Sequence, residues 1–466
     1  MARRWMLGLL LSALAIGAAP STGATGTPAM GRAQPSGRWS TATLSEAREG
    51  LAVATVGTQV LFAGRSVYGP GRLPTSATVD IYDSATGQWV TATLSEPRGR
   101  MGVATIGSLV LFAGGFGDRG PSAAVDLYDS ATGQWSRATL AEARGDILVA
   151  TVGGQVLFAG GETGVGIGPR GSASATVDVY DSATGQWSTA HLSGGLVPSI
   201  PSQPANPPVA TVGSQALFAV SSGSGGPSAL VDIYDGATRQ WSTATLSEPR
   251  WIGAAVAVGS QVLFAGGGSY GGPSAAVDIY DSATGQWSSS TLSEPPGNAV
   301  AVVGGQALLA SGLTVSAPPR GSGKVDIYDS ATRQWSTATL SEPRWNISVA
   351  TVDSQALFAG GRQGSAVSAT VDIYDGVTRQ WTTARLSRPV ALPAVAVVGS
   401  QALFASGDAV DVYDARTRQW TTAALSQARW GIAVATVGNQ VLFAGGIDEH
   451  GRASAVVDVY DSGVGQ

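Results

Sequence analysis

The stretch YDSATGQW at residues 82–89 recurs along the chain at a nearly constant interval. Its tyrosine has eight counterparts at spacings of 39 to 54 residues, and a tryptophan lies seven residues after every tyrosine except the last. A fixed period of this length predicts a repeat architecture. We number the units one to nine after their tyrosines: Tyr82, Tyr128, Tyr180, Tyr234, Tyr280, Tyr328, Tyr374, Tyr413 and Tyr460.

Each unit carries four short strand signals. In unit two they are GVATIG, LVLFAGG, AVDLYD and GQWSRATL, runs rich in β-branched and aromatic residues between Gly, Ser and Asp. A Gly-Ser pair between the first two strands favours a type II′ hairpin turn. In the turn between the third and fourth strands, Asp83 can cap a backbone N–H and Gly87 can take a positive φ. We expect strained or differently shaped turns in the four units where arginine replaces this glycine: Arg239, Arg333, Arg379 and Arg418.

The units resemble kelch repeats over residues 37–466. The resemblance rests on a diglycine after the second strand, the Tyr-Asp pair, the tryptophan, and an arginine between units. It implies a β-propeller of four-stranded antiparallel blades, as in bacterial secreted kelch proteins and the central domain of galactose oxidase. Unit one has Gly64-Arg65 at the diglycine, and units four, six and eight lack both diglycine and arginine. The matching diglycines and arginines are Gly114-Gly115, Gly160-Gly161, Gly266-Gly267, Gly360-Gly361 and Gly445-Gly446, and Arg48, Arg98, Arg144, Arg250, Arg344 and Arg429.

The ninth tryptophan, Trp39, lies upstream of the first Tyr-Asp pair. We therefore expect an N-terminal strand around Trp39 to complete the sheet whose other three strands end at Tyr460. The sequence predicts an all-β fold, a single propeller of nine kelch-like blades closed in this way. Nine exceeds the usual four to eight blades. Unit four, with its proline-rich 195–209, and unit eight, with its interval of 39, are candidates for distortion.

The N-terminus indicates export. A basic start at Arg3 and Arg4, an apolar stretch at 7–19 and small residues beyond predict a signal peptide at 1–24, by the Sec or the Tat route. A flexible lead-in at 25–36 precedes the propeller at 37–466. We expect a secreted, periplasmic or cell-surface monomer with no membrane span after cleavage. A net charge of −5 opposes nucleic-acid binding, and the lack of cysteine excludes disulfides and thiolate sites.

The second turn and the crossings between units vary, whereas the first and third turns are short and alike. Loops on a rigid scaffold usually carry function, so the face with the second turns and crossings, the variable face, is the expected binding face. Three crossings carry an Arg-Trp pair whose guanidinium and indole groups suit a carboxylate, a sugar or an acidic peptide. Alternatively, the arginines pair with Glu248 and Glu342 and the tryptophans fill space between blades. The predicted ligand-binding residues are Arg250, Trp251, Arg344, Trp345, Arg429 and Trp430.

Catalytic motifs are weak in this chain. The repeated aspartates, such as Asp80 and Asp83, suit turn capping better than catalysis, and His191 and His450 are isolated, so we expect no metal or cofactor. The leading hypothesis is a non-enzymatic scaffold that binds a protein or a glycan through the variable face. A second hypothesis is a repeat array that has no ligand. Another is a carbohydrate-active hydrolase or lyase that uses acids in the variable loops: Asp118, Glu162, Asp408, Asp448 and Glu449.

Overall fold

β-strands are the only regular secondary structure in the computed structural model, which describes residues 37–65, 74–164, 173–196, 208–222, 226–312 and 321–463. The predicted signal peptide and lead-in lie outside these residues. Along the described chain, no helix exists that is long and apolar enough to cross a membrane. The all-strand prediction is therefore confirmed for this part of the chain.

Most strands form antiparallel four-stranded sheets, which we number after the units, and two pairs of short strands form separate two-stranded sheets. Sheets 4 and 5 share the long strand β19. The strands are β1 (Arg38–Thr43); in sheet 1, β2 (Ala52–Val56), β3 (Gln59–Ala63), β4 (Thr78–Asp83) and β5 (Gln88–Thr93); in unit two, β6 (Gly102–Ile106), β7 (Leu109–Ala113), β8 (Phe116–Gly117), β9 (Gly120–Pro121), β10 (Ala124–Asp129) and β11 (Gln134–Thr139); in sheet 3, β12 (Leu148–Val152), β13 (Gln155–Ala159), β14 (Thr176–Asp181) and β15 (Gln186–His191); in sheets 4 and 5, β16 (Val209–Val212), β17 (Gln215–Ala219), β18 (Ser228–Asp235), β19 (Gln240–Val258), β20 (Gln261–Ser269), β21 (Gly272–Asp281) and β22 (Gln286–Thr291); in sheet 6, β23 (Pro296–Val303), β24 (Gln306–Ser311), β25 (Lys324–Asp329) and β26 (Gln334–Thr339); in unit seven, β27 (Ser348–Val352), β28 (Gln355–Ala359), β29 (Arg362–Gln363), β30 (Ala366–Val367), β31 (Thr370–Asp375) and β32 (Gln380–Arg385); in unit eight, β33 (Ala394–Val398), β34 (Gln401–Asp414) and β35 (Gln419–Trp430); and in unit nine, β36 (Ala433–Val437), β37 (Gln440–Ala444), β38 (Ile447–Asp448) and β39 (Val456–Asp461).

Burial changes across each sheet from the first strand to the fourth. The second and third strands are almost wholly buried, as in β3 and β4, because their Val, Leu, Ile and Phe side chains face neighbouring sheets on both sides. The fourth strands, such as β5, are largely exposed and carry Ser, Thr and Gln. The first strands contact each other from one sheet to the next. The first strand is therefore the inner one, and the fourth lies at the outer edge.

The glycine turns adopt the expected geometry. Gly57 and Gly107, at the first central position of the first turn, have φ of 56° and 59°. In the third turn Gly87 has a φ of 70°, and Asp83 Oδ1 accepts the Ala85 N–H at 2.9 Å. These contacts confirm the turn-capping role predicted for the second aspartate of the repeat.

The arginine-bearing third turns keep the glycine geometry, so of the two expected outcomes, strain or a changed shape, the backbone shows the positive φ that arginine disfavours. Arg239, Arg333, Arg379 and Arg418 take φ of 58° to 60°, close to that of Gly87. Each guanidinium group pairs with the turn aspartate of the preceding unit, as Arg379 does with Asp329 at 2.6 Å. The exposed cation thus gains an inter-sheet partner in the conformation that glycine takes elsewhere.

Apolar side chains and hydroxyl groups join each sheet to the next. Among the described residues, hydrophobic clusters combine residues of sheets that follow one another along the chain. The cluster between sheets 1 and 2, for example, contains Leu61 and Val79 of sheet 1 with Phe112 of sheet 2. The repeat tyrosine often donates its hydroxyl to a glutamine of the preceding sheet, as Tyr234 does to Gln155 at 2.6 Å. These contacts explain why the tyrosine recurs.

The N-terminal strand pairs with the last strand of the described chain. β1 runs antiparallel to β39 over six residue pairs, and Trp39 lies opposite Tyr460. The Trp39 ring lies 5.0 Å from the Tyr460 ring and 6.0 Å from that of Phe443. Trp39 therefore occupies the place that the tryptophan of each unit occupies elsewhere. The overall arrangement, all-β with four-stranded antiparallel sheets, fits a β-propeller.

The two units suspected of distortion both contribute strands. Unit four forms β16 to β18 and the first part of β19, although 197–207 of its proline-rich segment lie outside the described residues. In unit eight, β34 runs without interruption through the sequences of the second and third strands. The short interval of unit eight therefore comes from a shortened second turn, and the sequences of its second and third strands are both retained as strand.

Candidate ligand-binding site

The crossings that lead into six of the units each bury an arginine. Arg250 Nη2 lies 2.7 Å from Asp278 Oδ2, and its guanidinium also donates to the backbone carbonyls of Gly266, Phe264 and Glu248. The aspartate is the first one of the VDxYD segment in the same unit. The six pairs are Arg48–Asp80, Arg98–Asp126, Arg144–Asp178, Arg250–Asp278, Arg344–Asp372 and Arg429–Asp458.

Three of the predicted ligand-binding residues are the arginines of such buried ion pairs. The side chains of Arg250, Arg344 and Arg429 have no exposed surface, and their ion-pair partners are aspartates. Of the two expected glutamate partners, Glu342 is confirmed as a secondary partner, 3.8 Å from Arg344, whereas no ion pair joins Arg250 to Glu248 among the described residues. A ligand at these crossings would therefore meet the indole rings, because the guanidinium groups point into the protein. The ligand-binding role of the pairs stays a prediction.

The three units without a crossing arginine keep the buried aspartate. Asp232, Asp326 and Asp411 each accept hydrogen bonds from the backbone N–H and hydroxyl of one serine: Ser193, Ser293 and Ser387 in turn. Burial raises the pKa of Asp232 and of Asp326, against the lowering effect of these hydrogen bonds. The aspartate is thus tolerated without its cation.

The three crossing tryptophans differ in exposure. Trp251 is 38% exposed and meets Tyr270, which is 83% exposed, edge to face at 5.5 Å between ring centroids. Trp345 is half-buried, and its buried Nε1 has no acceptor among the residues that the structure describes. Trp430 is 51% exposed. Trp251 and Trp430 therefore present aromatic surface to solvent on the variable face.

Neighbouring crossings contact one another at a backbone position that has a positive φ. This position lies two residues after the arginine, or after Val390 where the arginine is missing. Leu392 takes a φ of 53° and donates its N–H to Asn346 O at 3.3 Å. A branched side chain in this region is an outlier, and such strain is often found at functional sites. The non-glycine residues with this geometry are Arg100, Asp146, Asn346 and Leu392.

A cavity of about 460 Å³ opens between units seven, eight and nine. Its walls come from the second turn of unit seven, the crossing into unit eight, the end of the second-strand sequence of unit eight, and the crossing into unit nine. Its volume lies within the usual range for small-ligand sites. Trp430 lines it, together with Leu392 and Val367, which are 47% and 42% exposed.

The cavity follows from the shortness of unit eight. The second turn of unit eight is cut to a few residues within β34, whereas unit seven builds the hairpin β29–β30 at the same place. Because this turn is short, the crossing into unit nine and the hairpin of unit seven face each other across the cavity. The sequence signal was the interval of 39 residues, which predicts a distorted unit but does not by itself indicate a cavity.

The lining residues include one arginine whose side chain has no acidic partner in the described chain. Arg362 is half-buried on β29, and its backbone exchanges hydrogen bonds with Trp345 at 3.0 and 2.7 Å. No carboxylate lies within ion-pair distance of Arg362 among the described residues, and the lining contains no Asp or Glu. Arg429, also in the lining, is paired with Asp458. Sequence reasoning missed Arg362 because it follows the diglycine in a variable loop.

Four of the five acids of the variable loops have local partners in the described chain: Asp118, Glu162, Asp408 and Asp448. Asp118 accepts the N–H and hydroxyl of Thr75 at 2.9 and 3.0 Å, and Asp408 pairs with Arg388 at 2.7 Å. Glu162 lies 3.9 Å from Arg100. A backbone hydrogen bond from Arg452 lowers the pKa of Asp448, which opposes a role as a general acid at neutral pH. Among the described residues, no group of three potential metal ligands occurs. The hydrolase or lyase alternative stays a prediction.

Comparisons with known proteins give no assignment. No protein-family model matches the chain, and no curated protein matches it.

Proposed function

We propose that the chain is a kelch-like β-propeller of nine blades, closed by the pairing of β1 with β39. Two observations support the closed ring. The hydrophobic cluster that contains Leu44, Val60 and Val457 joins sheet 9 to sheet 1, as other clusters join consecutive sheets. The Tyr82 hydroxyl donates to Gln440 of sheet 9 at 2.9 Å, which repeats the tyrosine–glutamine contact between sheets.

The proposed role is that of an exported, non-enzymatic scaffold that binds a protein or a glycan through its variable face. The single observation that carries this proposal is the cavity between units seven, eight and nine, with the exposed indole of Trp430 in its wall. Exposed aromatic side chains on a rigid scaffold stack on sugars and anchor protein partners. The exposed pair Trp251–Tyr270 offers a second aromatic surface on the same face. Export, the monomeric state and the kelch relationship rest on the sequence.

A binding screen tests this role. Wild type and the triple variant Trp251→Ala/Trp345→Ala/Trp430→Ala are applied to a glycan array and used for pull-down from the medium of the source organism. We expect ligands that wild type retains and the triple variant loses. The matched control, Val90→Ala/Val377→Ala, removes exposed apolar side chains of an outer strand and a third turn, and it should bind as wild type does. Binding that persists in the triple variant would remove the tryptophans from the site.

A further inference from the structure

We propose that the cavity between units seven, eight and nine binds an apolar group that ends in a carboxylate. The ligand is either a free aryl or branched aliphatic acid or the C-terminal residue of a peptide, since both present the same chemistry. The inference deepens the proposed function, on which it rests for the choice of face.

The apolar part of the ligand follows from the lining. Trp430, Leu392, Val367, Pro389 and Ile432 supply aromatic and aliphatic surface. Three of them are among the most exposed large hydrophobic residues of the described chain: Trp430, Leu392 and Val367. A ligand that covers this apolar surface is stabilised in the cavity, because the surface is removed from water. A flat ring or a branched chain would fit against the indole.

The carboxylate follows from the charge of the lining. Arg362 is the cation without an acidic partner among the described lining residues, and no acidic side chain lines the cavity. Arginine binds carboxylates in a bidentate, planar geometry, and a half-buried guanidinium group gains more from such a partner than an exposed one does. An anionic group at one end of an apolar ligand would complete this site.

The strained backbone supports a ligand role for this wall. Leu392 is bulky, exposed and held at a φ of 53°. Glycine relieves such a conformation at the corresponding position of the next crossing, where Gly431 has a φ of 60° and also lines the cavity. Leu392 therefore occupies a backbone conformation that leucine disfavours. Its side chain adds apolar surface to the cavity.

Isothermal titration calorimetry tests the proposal with matched probes. The free-acid arm uses 3-phenylpropionate and its neutral amide, and the peptide arm uses acetyl-Gly-Gly-Phe with a free or an amidated C-terminus. The protein variants are Arg362→Gln, Trp430→Ala and Ser406→Leu, the last of which narrows the cavity. Arg416→Gln, an exposed arginine in the third turn of unit eight, is the charge-matched control. Thermal unfolding verifies that each variant is folded.

We expect wild type to bind acids at least about ten-fold more tightly than amides, since a hydrogen bond to a charged group contributes this much or more. Arg362→Gln should abolish the preference, and Arg416→Gln should leave binding unchanged. Trp430→Ala and Ser406→Leu should each weaken the binding of both acid and amide. Binding of both free acid and peptide acid identifies a cavity that accepts either source. Binding of one alone identifies that source.

Two outcomes overturn the inference: no binding by either acid, or equal acid and amide affinities that Arg362→Gln leaves unchanged. If the glycan array or pull-down still shows tryptophan-dependent binding, the proposed function survives that failure. If Arg362-dependent acid binding occurs while array and pull-down show no ligand, the protein- or glycan-binding role fails and the cavity assignment stands. If Arg362→Gln does not fold, the wild-type preference for acid over amide and the effect of Ser406→Leu decide together, because a narrowed cavity must weaken acid binding.

Discussion

Removal of the buried aspartate in unit five should destabilise the protein far more than the same change in unit six. In unit five, Asp278→Asn leaves the guanidinium group of Arg250 buried without its counter-charge, at a site where the two were 2.7 Å apart. In unit six, Asp326 has no crossing arginine, and serine hydrogen bonds are its main partners. The two substitutions are chemically identical, so their difference isolates the buried cation.

The magnitudes follow from the burial of the groups. Breaking a buried ion pair from one side costs about 3–5 kcal/mol, because an uncompensated charge remains inside the protein. Asp326→Asn weakens hydrogen bonds worth about 1 kcal/mol but also removes a buried charge, so its net effect should stay within about 1 kcal/mol. With an unfolding entropy of about 2.1 cal/mol/K per residue, a chain of 466 residues loses about 1 °C in Tm per kcal/mol.

Differential scanning calorimetry at pH 7 measures both variants. We expect Asp278→Asn to lower Tm by about 3–5 °C and Asp326→Asn to change it by about 1 °C or less. The double variant Arg250→Met/Asp278→Asn should recover part of the loss, because no buried charge is left unpaired. Equal Tm shifts for the two single variants, or a double variant no more stable than Asp278→Asn alone, would refute the reasoning.

Two further predictions concern closure and pH dependence. Thr43 lies opposite Val456 and the chain has no cysteine, so Thr43→Cys/Val456→Cys should form a disulfide on mild oxidation, detected by gel mobility. The control pair, Thr43→Cys/Val90→Cys, should not form one. Equal behaviour of the two pairs would contradict the β1–β39 pairing. Burial raises the pKa of Asp326, so the stability that this group contributes is present below its unfolded pKa, about 3.9, and is lost as pH rises through the folded value. Pro296→Arg places a cation where Arg250 stands in unit five and should reduce this loss between pH 4 and pH 7 in urea unfolding, whereas Pro295→Arg, one residue away, should not.

Strand composition and the place of Trp39 were predictable from the sequence. The repeated Tyr, Trp and Asp lie at fixed offsets, and each makes the same contact in most units, so periodicity alone reveals them. The pairing of Trp39 with Tyr460 followed from counting the tryptophans. The partner of the crossing arginines did not follow, because Glu248 is near in sequence whereas Asp278 becomes near only when the third strand folds back.

The cavity was the least predictable feature. It depends on what a short turn in unit eight leaves uncovered between the walls of units seven and nine. Sequence reasoning identified Trp430 by its repeat position, but Arg362 and Leu392 have no repeat signature. Their importance arises from placement across three units, which a pattern within one unit cannot express.

The edge of β39 that β1 covers has a consequence for refolding. The segment RWSTAT of β1 differs little from QWSTAT in β26, and both alternate in the same way. Until β1 arrives, a fourth strand from another copy of the chain offers nearly the same complement to this edge. During refolding, first-order pairing of β1 with β39 of the same chain then competes with second-order pairing between chains. Dilution favours the former, and crowding yields intertwined species whose individual sheets are indistinguishable from native ones.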